Sequence, residues 1–308
     1  MSAPIVLFID RGFELAPFAA ALAGELDCRE SVTAAEHRDV VALVTGLVPV
    51  GAADAERFPA LRAVISCGVG SDHLDLAELR RRAIVVCNTP AYCTDEVADH
   101  ALACVLAGWR GLWRLADDVR SGGWDCNAHG LLRRIDELRL GIVGLGRIGR
   151  SLARKAGALG IEVLAHDPSP SARDAGVAMV SLGELLRGCD AVSLHTPAQA
   201  GAPPLLGRAE LALLRPGALL VNLARSALVD LDALLDALRS GALGGAAMDV
   251  WPQEPPAAGD LRLQTPGLLV TPHAAWSSER ANRAYREEAL ASLRAVLLED
   301  REPPGRIA

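Results

Sequence analysis

A glycine run in the middle of the chain constrains the fold more than any other feature. Gly144, Gly146 and Gly149 form a G-x-G-x-x-G pattern between the apolar run Leu138–Val143 and the helix-forming residues Arg150–Leu159. Such a pattern alone is weak, but a strand before it and a helix after it are typical of dinucleotide-binding units. There the first glycine makes the turn, the second admits the pyrophosphate and the third lets helix and strand pack closely. The helix start then offers N–H groups to the phosphates.

The residue after the next predicted strand indicates which dinucleotide is bound. Strand Ile161–His166 is followed by Asp167, about 20 residues beyond the glycines, where such units carry the acid that binds the ribose. Pro168 comes next, and no arginine stands at the strand end. A carboxylate accepts a hydrogen bond from a 2′-hydroxyl group but repels a 2′-phosphate, so the sequence predicts NAD rather than NADP.

The composition excludes several classes of protein. The 308 residues are 51% hydrophobic, enough for about two domains with a sizeable core. A net charge of −7 argues against a nucleic-acid-binding surface. No run has the length and apolarity of a membrane span, and Met1–Asp10 is predicted to be a strand rather than a signal peptide. The seven cysteines lack paired spacing, which indicates reduced thiols and a cytoplasmic location.

Predicted strands and helices alternate along the chain, which indicates parallel sheets. The predicted strands, besides those around the glycines, are Pro4–Ile9, Val40–Thr45, Leu61–Ser66, Ala83–Cys87, Asp190–His195, Ala218–Leu223, Gly245–Val250 and Leu268–Thr271. The predicted helices are Ala16–Leu26, Leu74–Arg81, Asp95–Arg120, Leu182–Arg187, Arg208–Leu214, Leu231–Ser240 and Ser278–Leu298.

This order predicts an α/β fold of two Rossmann-like or flavodoxin-like domains with parallel sheets and a cofactor cleft between them. Too many residues precede the glycines for a leader, so they are expected to form a domain of their own. We assign residues 1–92 and 278–308 to a substrate (catalytic) domain, since the last helix can return to the first domain. Residues 93–277 are assigned to an NAD-binding Rossmann domain.

Three charged or titratable residues, Arg225, Glu254 and His273, follow successive predicted strands. Open parallel sheets bind ligands beyond the carboxyl ends of their strands, so these side chains are expected to converge on the cofactor crevice. Arginine offers a planar fork to a carboxylate, and histidine exchanges a proton near neutral pH. A glutamate beside the histidine can hold its tautomer. With a hydride from nicotinamide, these groups suit the interconversion of a 2-oxo acid and a 2-hydroxy acid.

Each of the three residues also has a plain structural explanation. Arg225 could be a surface charge, Glu254 a solvated side chain in a proline-rich loop, and His273 a hydrogen-bonded histidine at a strand end. Together, on a nucleotide-binding fold, they favour the functional interpretation. His195 ends another strand and is predicted to border the nicotinamide rather than to transfer protons. The other histidines considered are His37, His100, His129 and His166. None has an acid or a cysteine at ligand spacing, so we expect no metal site.

Several ordered motifs resemble those of the D-isomer-specific 2-hydroxyacid dehydrogenases, across nearly the whole chain. Besides the glycine fingerprint with Asp167, they are a second glycine loop, a helix entry, and arginine, glutamate and histidine motifs. These lie at Gly68–Asp72, Thr94–Asp99, Val221–Arg225 with Leu228–Asp230, Met248–Pro255 and Thr271–His273. The resemblance implies an NAD-dependent D-2-hydroxyacid dehydrogenase that forms a homodimer largely through its nucleotide domains.

The resemblance also implies roles for individual residues. Arg225 is expected to bind the substrate and His273 to donate a proton, supported by Glu254. Implied substrate contacts are Val69, Gly70, Arg225, His273 and Trp276. Implied cofactor contacts are Thr94, Gly144, Gly146, Arg147, Ile148, Gly149, Asp167, His195, Thr196, Pro197, Leu223, Ala224, Asp249 and His273.

The histidine motif is especially similar to the branch that contains the C-terminal-binding-protein corepressors. In that branch the tryptophan lines the substrate pocket, so Trp276 is expected to contact the substrate side chain; the alternative is ordinary packing between the domains. Ser226 stands where the family often has glycine after the arginine, which affects the local turn. Ser66–Ser71 contains no lysine or arginine, which disfavours a phosphorylated substrate.

Three functions remain open from the sequence. The first is an NAD(H)-dependent oxidoreductase acting on a small 2-oxo or 2-hydroxy acid, and the presence of Arg225, Glu254 and His273 favours it. The second is an NAD(H)-sensing, corepressor-like protein in which closure around NADH builds a partner surface. The third is oxidation of a non-carbon acid such as phosphite, which the lack of basic residues in the Ser66–Ser71 loop disfavours.

Overall fold

Two sheets of parallel strands organise the chain in the computed structural model, which describes residues 3–10, 14–128, 130–169, 176–199 and 201–308. The strands of the first sheet are β1 Ile5–Phe8, β2 Asp27–Arg29, β3 Val40–Thr45, β4 Ala63–Ser66 and β5 Val85–Cys87. Those of the second are β6 Arg139–Val143, β7 Glu162–His166, β8 Ala178–Met179, β9 Ala191–Leu194, β10 Leu219–Asn222, β11 Gly245–Met248 and β12 Leu268–Val270. All strand pairs are parallel. The predicted α/β class with two parallel sheets is confirmed.

Two strands were not predicted, because neither carries an apolar run. β2 has three half-buried residues and β8 has only two residues. Both lie at an edge of their sheet, where the continuous apolar signal of a buried parallel strand fades. The predicted strands are present, most with slightly shorter bounds.

The helices lie between the strands, as an alternating pattern requires. Within the described residues they are α1 Leu15–Ala21, α2 Ala52–Arg57, α3 Leu76–Arg81, α4 Thr94–Trp109, α5 Leu112–Arg120, α6 Arg147–Ala158, α7 Leu182–Gly188, α8 Arg208–Leu211, α9 Leu231–Arg239 and α10 Glu279–Leu297. The single long helix predicted over Asp95–Arg120 is wrong, since this segment forms α4 and α5. Gly111 between them has a φ of +61°, a left-handed conformation that terminates an α-helix.

The chain divides into two compact units, Met1–Cys93 with Ser278–Ala308, and Thr94–Ser277. In the first unit the strand order is β2-β1-β3-β4-β5, and α10 packs on β4. Ser278 caps α10 by accepting a hydrogen bond from the N–H of Ala281 at 2.9 Å. The last residues of the chain return to the sheet edge, where Arg306 pairs with Cys87 in an antiparallel bridge.

The second unit has the strand order β12-β11-β10-β9-β6-β7-β8. From the central β6 the chain builds β7 and β8 on one side, and then crosses to build β9 to β12 on the other. The carboxyl ends of β6 and β9 therefore form a topological switch point, where open α/β sheets bind ligands. On α6, the buried residues Gly149, Leu152, Ala153 and Ala156 form one helical stripe facing this sheet's core.

Two features are absent from the described residues. None of their helices is long and apolar enough to cross a membrane. No group of three or more His, Cys, Asp and Glu side chains among them could hold a metal ion. His129, one of the histidines considered above, lies outside the described residues.

Candidate active site

The glycine loop joins β6 to α6 and leaves no space for side chains at two of its positions. Gly144 has a φ of +95°, and a Cβ atom there would lie 2.4 Å from the carbonyl oxygen of His195. A Cβ atom on Gly149 would lie 2.1 Å from the carbonyl oxygen of Gly144. A Cβ atom on Gly146 would meet nothing within 4 Å. The loop is therefore packed tightly at its first and third glycines and open at the second, as a pyrophosphate requires.

Asp167 fixes the glycine loop from the end of β7. Its Oδ2 accepts a hydrogen bond from the N–H of Leu145 at 2.6 Å, and its Oδ1 accepts one from the N–H of Ser169 at 2.8 Å. A carboxylate offers about four lone pairs, so Asp167 can still accept a ribose hydroxyl. Arg147 and Ile148 begin α6, and the first N–H groups of a helix have no intrahelical acceptor.

A groove of about 280 Å³ opens beside this loop within the second unit. Its walls include Gly144, His166, Pro168, Thr196 and Pro197. A concave surface with mixed apolar and polar walls suits a flat ring system. The tight glycine cradle and the adjoining groove thus fit a dinucleotide, and they bring together the residues predicted on the loops after β6, β7 and β9.

His195 follows β9 and is neutral near pH 7. Its Nε2 lies 2.8 Å from Oγ of Ser193. Burial lowers the pKa of His195 to about 4, because the charged imidazolium loses its hydration. The neutral ring is suited to lining a site rather than to donating a proton at neutral pH, and its place beside the nicotinamide stays a prediction.

Arg225 lies on a turn that the buried Asn222 shapes at the end of β10. Asn222 donates from Nδ2 to the carbonyl of Arg225 at 2.8 Å and accepts from the N–H of Ala224 at 3.1 Å. The Arg225 guanidinium donates from Nη1 to the carbonyl of Ala224 at 2.8 Å. Leu223, also in this turn, is buried. The half-buried Arg225 side chain is thereby anchored at its head and by its backbone.

His273 and Glu254 form a hydrogen-bonded pair between the loops after β12 and β11. His273 Nδ1 lies 2.6 Å from Glu254 Oε2, and each side chain is 29% exposed. The other carboxylate oxygen, Oε1, accepts from the N–H of Trp251 at 2.8 Å. Burial on its own raises the pKa of Glu254, but the hydrogen bonds from His273 and Trp251, with the charges of His273 and Arg225, outweigh it and hold that pKa below its ordinary value.

The backbone that presents His273 is held by Asp249. His273 has a φ of +52°, which is uncommon for a residue other than glycine; such a conformation costs about 1–3 kcal/mol and persists only where the surroundings impose it. The buried Asp249 accepts hydrogen bonds from the N–H groups of Ala274 and Ala275, both at 2.8 Å, and from Thr271 Oγ1 at 2.5 Å. These three bonds fix the strained turn. The expected cofactor contact of Asp249 stays a prediction.

Two expected substrate contacts, Val69 and Gly70, lie in the first unit on the loop after β4. The carbonyl of Val69 accepts from Asn88 Nδ2 at 2.8 Å, and that of Gly68 accepts from the N–H of Thr89 at 3.2 Å. Asn88 and Thr89 follow β5, the neighbouring strand. With the carbonyls of Gly68 and Val69 held in this way, the loop after β4 has a defined backbone conformation within its unit.

The remaining predicted residues mark the two ends of the second unit. Thr94 is the first residue of α4, and the adjacent Asp95 accepts from Ser151 Oγ on α6 at 2.7 Å. Trp276 is half-buried three residues before α10, inside a turn that closes with a bond from the N–H of Ser277 to the carbonyl of Ala274 at 2.9 Å.

Some residues that hold the site were not predicted. Asn222 shapes the arginine turn, and Trp251 binds Glu254 through its backbone. A buried amide at the end of an apolar strand is a usable signal for the first, since a buried side chain of that kind needs hydrogen-bond partners. No pattern of spacing reveals the second, because the donor is a main-chain N–H group.

Comparisons with known proteins identify relatives of this chain. The model of the "D-isomer specific 2-hydroxyacid dehydrogenase, NAD binding domain" matches residues 102–275. A glycerate dehydrogenase from Methylorubrum extorquens is 33% identical over 257 residues, which cover 81% of this chain and 80% of that protein. An (S)-sulfolactate dehydrogenase from Chromohalobacter salexigens is 39% identical over 230 residues, covering 73% of this chain and 74% of that protein.

The fold is also similar to solved structures. The crystal structure of a D-lactate dehydrogenase from Aquifex aeolicus, complexed with NAD and lactic acid, superposes with a TM-score of 0.86 at 26% sequence identity. The superposition covers 96% of each chain. The two parallel sheets described above are therefore those of a known Rossmann-like architecture.

Proposed function

Because this chain belongs to the D-isomer-specific 2-hydroxyacid dehydrogenase family and is an NAD-dependent oxidoreductase, we propose that it interconverts a small 2-oxo acid and its D-2-hydroxy acid. Arg225 binds the substrate carboxylate, and His273 with Glu254 exchanges the proton. The observation that carries this proposal is the 2.6 Å contact between His273 and Glu254, on loops that follow adjacent strands of one sheet.

The proposed cofactor site is built from the glycine loop and the loops around it. The N–H groups at the start of α6 bind the pyrophosphate, Asp167 accepts from the ribose, and the groove lined by Thr196 and Pro197 takes an adenine ring. NAD supplies or accepts the hydride when bound. We assign this role to residues 93–277, and substrate binding to residues 1–92 and 278–308, with backbone N–H groups of Val69 and Gly70 for the acid.

The chain's own residues handle the charge and the proton. Arg225 offers a bidentate fork to the carboxylate and orients the acid. Glu254 occupies Nδ1 of His273, so Nε2 is the ring nitrogen left for the substrate oxygen. In reduction His273 donates its proton to the oxygen that becomes the hydroxyl group, and in oxidation it accepts that proton. Glu254 stays ionised throughout and compensates the charge of the imidazolium.

The substrate we favour is a small acid. The relatives named for glycerate and (S)-sulfolactate support a short chain, and Ser66–Ser71 has no basic side chain for a phosphate. Similarity of the histidine motif to the corepressor branch leads us to propose that Trp276 faces the substrate side chain. The seven free cysteines are consistent with a reducing, cytoplasmic location.

The test is NADH consumption with a panel of 2-oxo acids, from glyoxylate and pyruvate to hydroxypyruvate, sulfopyruvate and aryl acids. We expect turnover on at least one, with the His273→Ala variant losing most of it and keeping its affinity for NADH. Full turnover in that variant would contradict the role of His273. If the protein binds NADH tightly but turns over none of these acids, and also fails to oxidise phosphite with NAD⁺, the NAD(H)-sensing function is favoured instead.

We also propose a homodimer formed through the second unit. Large apolar side chains are exposed on α5 and the segment after it, with Trp124 90% and Leu131 89% exposed. Exposed apolar side chains concentrated on one segment favour an interface, and a second copy would cover them. Light scattering should give the mass of a dimer for the wild type and of a monomer for Trp124→Ser/Leu131→Ser. Leu298→Ser, on the first unit, should remain dimeric; a monomeric wild type would refute the proposal.

A further inference from the structure

Glu254 lies in a loop whose two ends are fastened together by three side chains, which we call the Trp251 clamp: Trp251, Asp260 and Arg262. The indole Nε1 of Trp251 donates to Asp260 Oδ2 at 3.2 Å. Arg262 donates to the same carboxylate from Nε and Nη2, at 2.9 Å to Oδ1 and 2.7 Å to Oδ2. The Arg262 guanidinium also lies over the Trp251 ring, 5.6 Å from its centroid. Cation–π stacking and ion pairing therefore act on the same three groups.

The clamp is more than a surface ion pair. Trp251 is 4% exposed and the Asp260 side chain 8%. Asp260 also caps the short 3₁₀-helix Leu261–Gln264 by accepting from the N–H of Arg262 at 3.0 Å. A buried carboxylate with this many donors holds its neighbours in one geometry, because each bond that is lost leaves a buried polar atom unpaired. The segment between residues 251 and 260 is thus closed at its base.

The closed loop contains Glu254 and also binds it directly. The N–H of Trp251 donates to Glu254 Oε1 at 2.8 Å, and Glu254 Oε2 meets His273 Nδ1 at 2.6 Å. A continuous set of contacts therefore runs from Arg262, whose side chain is 44% exposed, to the His273 ring. Other charges face the pair: Arg225 acts on Glu254, and Asp249 and His100 are linked to the His273 turn through Thr271.

We propose that the Trp251 clamp is a positioning device for the reaction: by closing the loop it keeps the Trp251 N–H on Glu254 and so fixes the carboxylate against His273. The proposal rests on the proposed function of the His273–Glu254 pair. Trp251, Asp260 and Arg262 are positioning residues, since they act through Glu254. None of the three was singled out by its sequence motif.

If the clamp positions Glu254, opening it should change the pH profile of the reaction, which a merely structural role would not do. The Trp251 N–H bond lowers the pKa of Glu254, so a variant with an open loop should bind a proton at Glu254 at higher pH. Reduction needs the ionised carboxylate, and the acid limb of its pH profile should then move to higher pH.

The experiment compares Asp260→Asn and Trp251→Phe with the wild-type enzyme. Phenylalanine keeps the buried ring and removes only the indole donor, whereas asparagine removes the charge that holds Arg262. We expect kcat/KM for reduction to fall about tenfold, because a small misplacement of a reacting group slows the reaction. The affinity for NADH should be unchanged, and the acid limb of the pH profile should move to higher pH. Asp236→Asn is the matched control, because Asp236 pairs with Arg208 at 2.8 Å on the same unit; its profile should equal that of the wild type.

Glu254→Gln separates failure of the clamp from failure of the proposed function. If Glu254→Gln leaves turnover and pH profile unchanged, the His273–Glu254 pair itself is wrong. If Glu254→Gln removes activity or the acid limb while both clamp variants keep the wild-type acid limb, the clamp proposal is overturned. In a Glu254→Gln background, Asp260→Asn should add no further loss, because the clamp acts only through the carboxylate.

A direct measurement covers the case in which Asp260→Asn does not fold. Arg262→Gln changes a side chain that is 44% exposed and leaves Asp260 in place, so it should fold and shift the acid limb in the same direction. Carbon-13 NMR of glutamate-labelled protein, with the Glu254 signal assigned by its loss in Glu254→Gln, gives the pKa of Glu254 without turnover. An unchanged Glu254 titration in Arg262→Gln and Trp251→Phe refutes the proposal.

Discussion

Gly146 and Gly149 in the glycine loop, with Gly157 further along α6, allow packing and cofactor binding to be tested separately. In Gly149→Ala the new Cβ atom would lie 2.1 Å from the Gly144 carbonyl oxygen, so helix and loop must separate by about 1 Å to restore ordinary contact. The obstacle is backbone, which no rotamer change relieves. Overpacking of this kind costs about 1–3 kcal/mol of unfolding free energy. The displaced α6 N–H groups should also raise the Kd for NADH at least about tenfold, which is 1.4 kcal/mol.

Gly146→Ala and Gly157→Ala are matched controls for this variant. A Cβ atom at either position meets no protein atom within 4 Å. Gly157 lies inside α6, so alanine there should raise stability by up to about 1 kcal/mol and leave NADH binding unchanged. Gly146→Ala should fold like the wild type yet lose NADH affinity, because its Cβ fills the space left for the pyrophosphate. Urea unfolding and NADH fluorescence titration measure both quantities. Wild-type stability in Gly149→Ala, or wild-type NADH affinity in Gly146→Ala, would refute the reasoning.

Two further changes test the anchoring of the substrate and of the catalytic turn. Arg225→Lys replaces a planar fork by a point charge, so the KM for the 2-oxo acid should rise about 10- to 100-fold while Kd for NADH stays constant; an unchanged KM in steady-state kinetics would remove Arg225 from the carboxylate site. Asp249→Asn leaves one acceptor oxygen for the N–H groups of Ala274 and Ala275, so urea unfolding should show a loss of about 1–3 kcal/mol, with kcat reduced more than NADH affinity. Equal kcat in this variant would mean that Asp249 does not hold the His273 turn.

The sequence was sufficient for features that depend on short-range patterns. Buried parallel strands are continuous apolar runs, so β3 and β6 could be located from the sequence alone. The same logic failed for β2, whose three residues are half-buried at a sheet edge. It also failed for the break at Gly111, because helix propensity on both sides is high and only the left-handed φ of one residue separates α4 from α5.

The site shows a similar division. Spacing after strands indicated Arg225, Glu254 and His273, since each stands a short way beyond an apolar run. The groups that hold these side chains in place were harder to predict from the sequence. The φ of +52° at His273 is not encoded by a glycine, and two of the three Asp249 bonds that stabilise it come from main-chain N–H groups, which every residue type except proline carries. Contacts of this kind depend on how the loops fold over one another, and no residue pattern records them.

The order of the strands explains the electrostatics of the proposed site. β10, β11 and β12 are neighbours, and parallel strands lie about 4.8 Å apart, so the loops that follow them come within side-chain reach of one another. Arg225, Glu254 and His273 are thereby arranged in strand order with the acid in the middle. From there Glu254 binds His273 at 2.6 Å and also feels the Arg225 charge. Both interactions lower the pKa of the acid, and they keep it ionised below the pH at which glutamate normally takes up a proton. A neutral residue in the middle position would leave Arg225 and the protonated His273 ring without a carboxylate between them, so Glu254→Gln should weaken proton donation to the substrate and lower kcat/KM for reduction.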